Sequence, residues 1–169
     1  MSIPDGLRIR PAVRALVLDE SNAVLLVRLV FPDGAWWVLP GGGIEPHEDT
    51  HTALHRELAE EVGLRGAEVG PHLWSRTHVF PMNEHWDGQH EEVFLVRTAR
   101  FEPTPALDVD QLRAESLHEI RWWHLDEIGG YAGSDFFAPA DIHARIERIA
   151  LHGAPATAES IVQVEPAAD

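Results

Sequence analysis

Residues 41–64 read GGGIEPHEDTHTALHRELAEEVGL, a glycine-rich stretch running directly into an acid-dense one. The second part reads as a helix. Asp49 is a good N-cap, Thr50–Val62 contains neither Gly nor Pro, and Gly63 stands where a C-terminal glycine belongs. Leu54, Leu58 and Val62 recur every four residues and form its buried stripe. The part before it is the opposite: residues 40–49 hold three glycines and two prolines, and are expected to form an irregular loop.

Glu57, Glu60 and Glu61 fall on one face of that helix. With Glu57 as zero, Glu60 lies at about −60° and Glu61 at about +40°. The apolar stripe is centred near +100°, so the acidic face borders the core. Crowded carboxylates raise each other's pKa unless a cation sits among them, and Mg²⁺ or Mn²⁺ suits an oxygen donor set. Three glutamates alone read more readily as a solvated face with an i,i+4 ion pair. The adjoining glycine loop and Glu48 shift the balance toward a site.

Working outward, Ala12–Leu18, Ala23–Val30 and Ala35–Leu39 read as short strands separated by polar turns. Further strands are expected around Glu68–Phe80, Glu92–Ala99 and Glu119–Leu125, with a last helix over Pro139–Leu151. Strands surrounding one central helix predict an α/β or α+β sandwich with a mixed sheet. Residues 153–169 read as a flexible C-terminal tail, with Ile161–Val164 as a segment that could add a strand to a partner.

Composition narrows the function. The 169 residues are 44% apolar and 24% charged, ordinary for one globular domain. A net charge of −15 argues against nucleic acid as a partner, which calls for basic residues to displace phosphate counterions. It leaves room for a phosphorylated small molecule if a metal supplies the positive charge. The absence of cysteine removes disulfides, thiolate zinc sites and cysteine nucleophiles. MSIPDGLRIRP lacks a signal-peptide core and no apolar run is long enough for a span, so no membrane and a cytoplasmic location are expected.

Taken together, Gly42, Glu48 and the run Arg56-Glu57-Leu58-Ala59-Glu60-Glu61-Val62-Gly63-Leu64 resemble the signature box of the Nudix hydrolase family at every fixed position. Trp37–Gly43 is similar to the strand and loop before the family's box. Trp123–Ile128 is similar to its closing strand and short helix. The resemblance covers residues 8–152 by element order. It implies a Nudix-like α/β/α sandwich with a central mixed β-sheet in a single domain, 1–152.

The activity implied is that of a Mg²⁺-dependent pyrophosphohydrolase, with Mn²⁺ as a substitute. It would cleave the diphosphate linkage of a nucleoside diphosphate joined to another group. Glu57, Glu60 and Glu61 would bind the ion with the Gly41 carbonyl. Arg56 and Glu48 would form a supporting ion pair beside Gly42. The general base is Glu61 or a residue from another loop. Glu91 and Glu92 are the candidates there, and alternation turns only one of them into the site. Glu91, next to the polar His90, is the choice.

Trp86, in the loop 81–89, and Arg28, interrupting an apolar strand, are the candidate substrate-binding residues. Arg14, Arg76 and Arg97 interrupt strands in the same way, and Trp74 is a second stacking candidate. His47, His51 and His55 read as surface histidines. Nucleoside triphosphates, oxidised nucleotides, sugar nucleotides and ADP-ribose all stay open as substrates. A homodimer is compatible with the acidic surface and the tryptophans. The alternative is a non-catalytic Nudix-like nucleotide-metabolite sensor. Such domains commonly lose box glutamates, and here none is lost.

Overall fold

The computed structural model describes residues 3–165. Its central strand, β1 (Ile9–Leu18), turns at Asp19 into β2 (Val24–Phe31), and β3 (Gly34–Val38) follows. Asp19 Oδ1 accepts from the Ser21 and Ala23 amides at 2.8 and 2.9 Å, closing the first turn. Next come β4 (Gly41–Gly43), α1 (Thr50–Val62), β5 (His72–Val79), β6 (Gly88–Arg97) and α2 (Val109–Ala114). The chain continues through β7 (Leu117–Trp123), α3 (Leu125–Gly129), β8 (Phe136–Ala138), α4 (Ile142–His152) and β9 (Glu159–Val164).

The sheet runs β8-β3-β2-β1-β6-β5-β9, with β4 beside β1 and β7 beside β2. It is mixed: β1 runs parallel to β6 over its full length and antiparallel to β2 and β4. β2 pairs with β1 only at Leu18, while β4 takes the other end, pairing Ala12, Val13 and Arg14 with Gly43, Gly42 and Gly41. That split inserts the glycine segment into the sheet directly under α1.

Two cores result. Leu54, Leu58 and Val62 of α1 pack on Val13, Ala15, Val17, Leu25 and Val27. Ile142, Ile146 and Ile149 of α4 pack on Leu16, Leu18, Leu26, Val93 and Trp123 from the other side. The architecture is thus helix, mixed sheet, helix, as expected. Alternation places Trp122 and Trp123 on opposite faces, and because both faces are covered, both are buried.

Three expectations need correction. Gly41–Gly43 is not irregular: without side chains it shows no strand pattern, yet its backbone pairs with β1. The stretch expected as a tail from residue 153 contains β9, which pairs in parallel with the chain's own β5 from Trp74↔Glu159 to Val79↔Val164. Ile161 rests on the second core and Glu159 pairs with the buried Arg145 at 2.9 Å, which fixes the strand. The end of the expected tail, 166–169, lies outside the described residues. Trp74 is 2% exposed beneath Arg145, so it stacks on a guanidinium and is not available to a nucleobase.

Candidate active site

The acidic face of α1 is positioned at both ends of the helix. At the start, Asp49 accepts from the Thr52 amide at 2.8 Å. At the end, Gly63 adopts φ 74°, and the Thr104, Ala106 and Leu107 amides donate to the carbonyls of Val62, Ala59 and Glu60. A Cβ on Gly63 would lie 2.1 Å from the Thr104 carbonyl oxygen, so only glycine lets this loop close on the helix. The same docking carries α2, and Glu115 just beyond it, over the acidic face.

Glu57 and Glu61 are buried beside the glycine strand, while Glu60 is half-exposed. A Cβ on Gly42 would fall 2.6 Å from Glu57 Oε1, so the Glu57 carboxylate occupies the space that this glycine leaves. Glu61 Oε2 accepts from the Gly41 amide at 2.9 Å. One oxygen each from Glu57, Glu61 and Glu115 lie within 4.8 Å of one another. Burial pushes the Glu57 carboxyl up against the pull of Arg56. Burial, reinforced by Glu57, pushes Glu61 up to about 8. Glu115 is raised by burial and by Glu60. This all-oxygen, underneutralised donor set fits a hard divalent cation.

Arg56 braces the cluster from one side. It meets both Glu48 oxygens at 2.6 and 3.1 Å, Glu57 at 2.9 Å, Glu60 at 3.2 Å and the Gly43 carbonyl at 3.0 Å. Its hydrogen bonds hold Glu48 below the usual carboxylate range. Glu48, Arg56, Glu57, Glu60 and Glu61 therefore form one connected group with Gly41 and Gly42. A cleft of about 600 Å³ opens beside it, lined among others by Arg10, Glu60, Trp86 and Glu115. Trp86 is thus brought to the site.

Glu91 and Glu92 point to opposite faces: Glu92 meets Thr50 Oγ1 at 3.4 Å, while Glu91 turns toward Arg14. Burial alone would raise Glu91. Arg14 Nε at 2.7 Å, Arg76 Nη1 at 3.5 Å and Gln89 Nε2 at 3.0 Å overcome this and hold the carboxyl below its ordinary range. Oε2 accepts from two donors and Oε1 faces the Arg76 guanidinium, which suits a strut for Arg14 and disfavours a general base. Arg28 is also committed elsewhere. It pairs with Asp135 at 2.7 and 3.1 Å, and Trp37 Nε1 donates to the same carboxylate at 3.0 Å. With its charge already neutralised, it is not a free phosphate ligand.

Glu115 was not legible as a site residue. The capping box of Asp108 and Gln111 marks the short helix before it, but nothing local separates this acid from the others.

The NUDIX domain family matches residues 8–145. Nudix hydrolase 25 of Arabidopsis thaliana is 30% identical over 140 residues, spanning 75% of this chain and 78% of that protein. RNA pyrophosphohydrolase of Pseudomonas putida is 34% identical over 119 residues, spanning 63% of this chain and 70% of the relative. A Nudix hydrolase structure from Nitrosomonas europaea gives a TM-score of 0.64 at 18% identity, covering 85% of this chain and 90% of that one. The NUDIX domain of Shewanella oneidensis NrtR, complexed with ADP ribose, gives 0.61 at 18% identity over 89% and 92% of the two chains. At such identities the structures share the fold.

Proposed function

The chain belongs to the Nudix hydrolase family, and from that premise we propose a Mg²⁺-dependent pyrophosphohydrolase acting on the diphosphate linkage of a nucleoside diphosphate derivative. The observation that carries this is the convergence of Glu57, Glu61 and Glu115 within 4.8 Å, with Glu60 alongside. These four carboxylates, with the Gly41 carbonyl, would hold the ion. When bound it would neutralise phosphoryl oxygens and lower the pKa of a water nucleophile.

The chain's own residues do the rest. Arg56 fixes the carboxylates of Glu48, Glu57 and Glu60 so that they need not reorganise during the reaction. Glu61, anchored at Oε2 by the Gly41 amide, stands within this donor set and is the preferred general base. Trp86 offers an apolar face beside the cleft for a base or other flat group.

Retention of every box carboxylate favours turnover over a sensor that only binds. The test is chromatographic detection of the cleaved products from nucleoside triphosphates, 8-oxo-dGTP, sugar nucleotides, ADP-ribose, dinucleoside polyphosphates and a 5′-triphosphorylated oligonucleotide. Each is assayed with Mg²⁺, Mn²⁺ or EDTA. Metal-dependent cleavage of one class, lost in a Glu60→Gln, Glu61→Gln double variant, is expected. Turnover that persists in EDTA or in the double variant would overturn the reading.

A further inference from the structure

Among the described residues β4, β7, β8 and β9 each pair on one side only, and three of these edges are guarded. β4 and β8 are three residues long, and Pro139 follows β8 directly. β7 carries His118, Glu119 and Arg121, and its register against β2 shifts at Arg28/Leu29. Short strands, prolines, charges and irregular register are what keep an edge from pairing with another chain. Past Glu159, β9 has none of them. It runs Glu159-Ser160-Ile161-Val162-Gln163-Val164, with neither Gly nor Pro and an unbroken register on β5. The Glu165 amide donates to the Val79 carbonyl at 2.9 Å, so in this parallel ladder Ile161 and Gln163 turn their N–H and C=O groups toward β5. Ser160, Val162 and Val164 turn theirs outward, where no strand meets them among the described residues.

We propose that this edge is a homodimer interface, in which β9 of a second copy pairs antiparallel about a two-fold axis through Val162. That arrangement satisfies the outward groups: Val162 exchanges bonds with its own counterpart, and Ser160 with Val164 of the partner subunit. Ile161 rests on the second core, so alternation turns the half-buried Val162 and Val164 to the α1 side, where the partner copy covers them. Glu159 and Glu165 are carried to the two ends of the pairing. Each is already held by its own chain, Glu159 by Arg145 at 2.9 Å and Glu165 by His78 Nε2 at 2.8 Å. In a chain of net charge −15, the middle of β9 is thus an uncharged stretch on which two copies can meet. The contact is isologous and closes at two copies. The inference does not depend on the hydrolase reading.

The test is sedimentation and amide hydrogen exchange of the full chain over a series of concentrations. Wild type should pass from monomer to dimer, and no further, as concentration rises. The Ser160, Val162 and Val164 amides should gain protection over the same range, while those of Ile161 and Gln163, bonded to β5, are protected throughout. Val162→Lys sets like charges against each other at the axis and should sediment as a monomer. Val162→Glu should do the same, and an equimolar mixture of the two variants should recover the dimer, because position 162 faces itself only if the axis passes there. Protection at Ile161 and Gln163 reports that β9 stays in place in each variant; where it does not, exchange in wild type decides. A wild type that is monomeric throughout, with exchange independent of concentration, would overturn the assignment and leave the edge to a strand of a different protein. A dimer that survives in Val162→Lys, a mixture that stays monomeric with β9 in place, or assembly past two copies would overturn it as well.

Discussion

Glu61 and Glu91 are both buried glutamates that feel the same arginine, yet they end in opposite states. Glu91 is met by Arg14, Arg76 and Gln89, which together override the cost of burial and keep it ionised. Glu61 receives one backbone amide and the more distant pull of Arg14, while Glu57 adds repulsion, and it is pushed up to about 8. Burial is common to both, so burial alone marks nothing. Compensation is what differs: the satisfied carboxylate is a strut, and the unsatisfied one borders a cluster whose missing charge must come from outside the chain.

The sharpest way to break this contrast is to neutralise each glutamate in turn. Glu61→Gln should lower kcat/KM by about a hundredfold or more, the scale seen when one preorganised group is removed from a reacting centre. Its metal-free thermal stability should hold or rise, because an uncompensated buried acid is lost while the amide can still accept from Gly41. Glu91→Gln should do the reverse in kind, costing about 3 kcal/mol in urea unfolding because Arg14 and Arg76 are left without their carboxylate. A Glu91→Gln protein as stable as wild type would remove the strut from the account.

The pH dependence sharpens the comparison further. A carboxyl whose pKa is higher folded than unfolded holds its proton more tightly in the folded state. The stability from Glu61 is therefore complete below its ordinary value of 4.5 and is lost as pH rises through about 8. Glu57 and Glu115 act in the same direction, while His78, whose pKa burial lowers, acts in the opposite one near neutrality. Metal-free melting curves from pH 5 to 9 should fall more steeply for wild type than for Glu61→Gln. A difference between the two proteins that does not change with pH would count against the raised carboxyl. Glu91, lowered in the fold, should contribute the opposite slope, losing its stability only in acid.

The smallest effect is at the outer end of the Glu91 network. Gln163 on β9 accepts from Arg76 Nε at 2.6 Å at an exposed position. Gln163→Ala should cost under about 1 kcal/mol in urea unfolding and leave KM unchanged.

Legibility in the sequence follows the same division between local and distant partners. The acidic face of α1, its Asp49 cap, its Gly63 end and the Arg56–Glu48 proximity are written within one continuous stretch, where helical spacing converts directly into geometry. Glu115 reaches the cluster only because the loop at 104–107 docks on the carbonyls of α1, a tertiary event with no local pattern. Arg28 looked like a phosphate ligand because its partner, Asp135, lies over a hundred residues on. Gly41–Gly43 hid its strand pairing because glycine carries no alternation to read. β9 sits among small and polar residues, and its place is set by the Arg145–Glu159 pair and the seat of Ile161 on the second core.

The most direct test of the central claim is a Mn²⁺ titration of metal-free protein, followed by the paramagnetic signal of the free ion. Wild type, Glu61→Gln and Glu91→Gln are compared under conditions where all three are folded. Glu61→Gln should weaken binding by about tenfold or more, and Glu91→Gln should bind as wild type does. Wild-type affinity in Glu61→Gln, or an equal loss in Glu91→Gln, would contradict the assignment of the acidic cluster as the cation site.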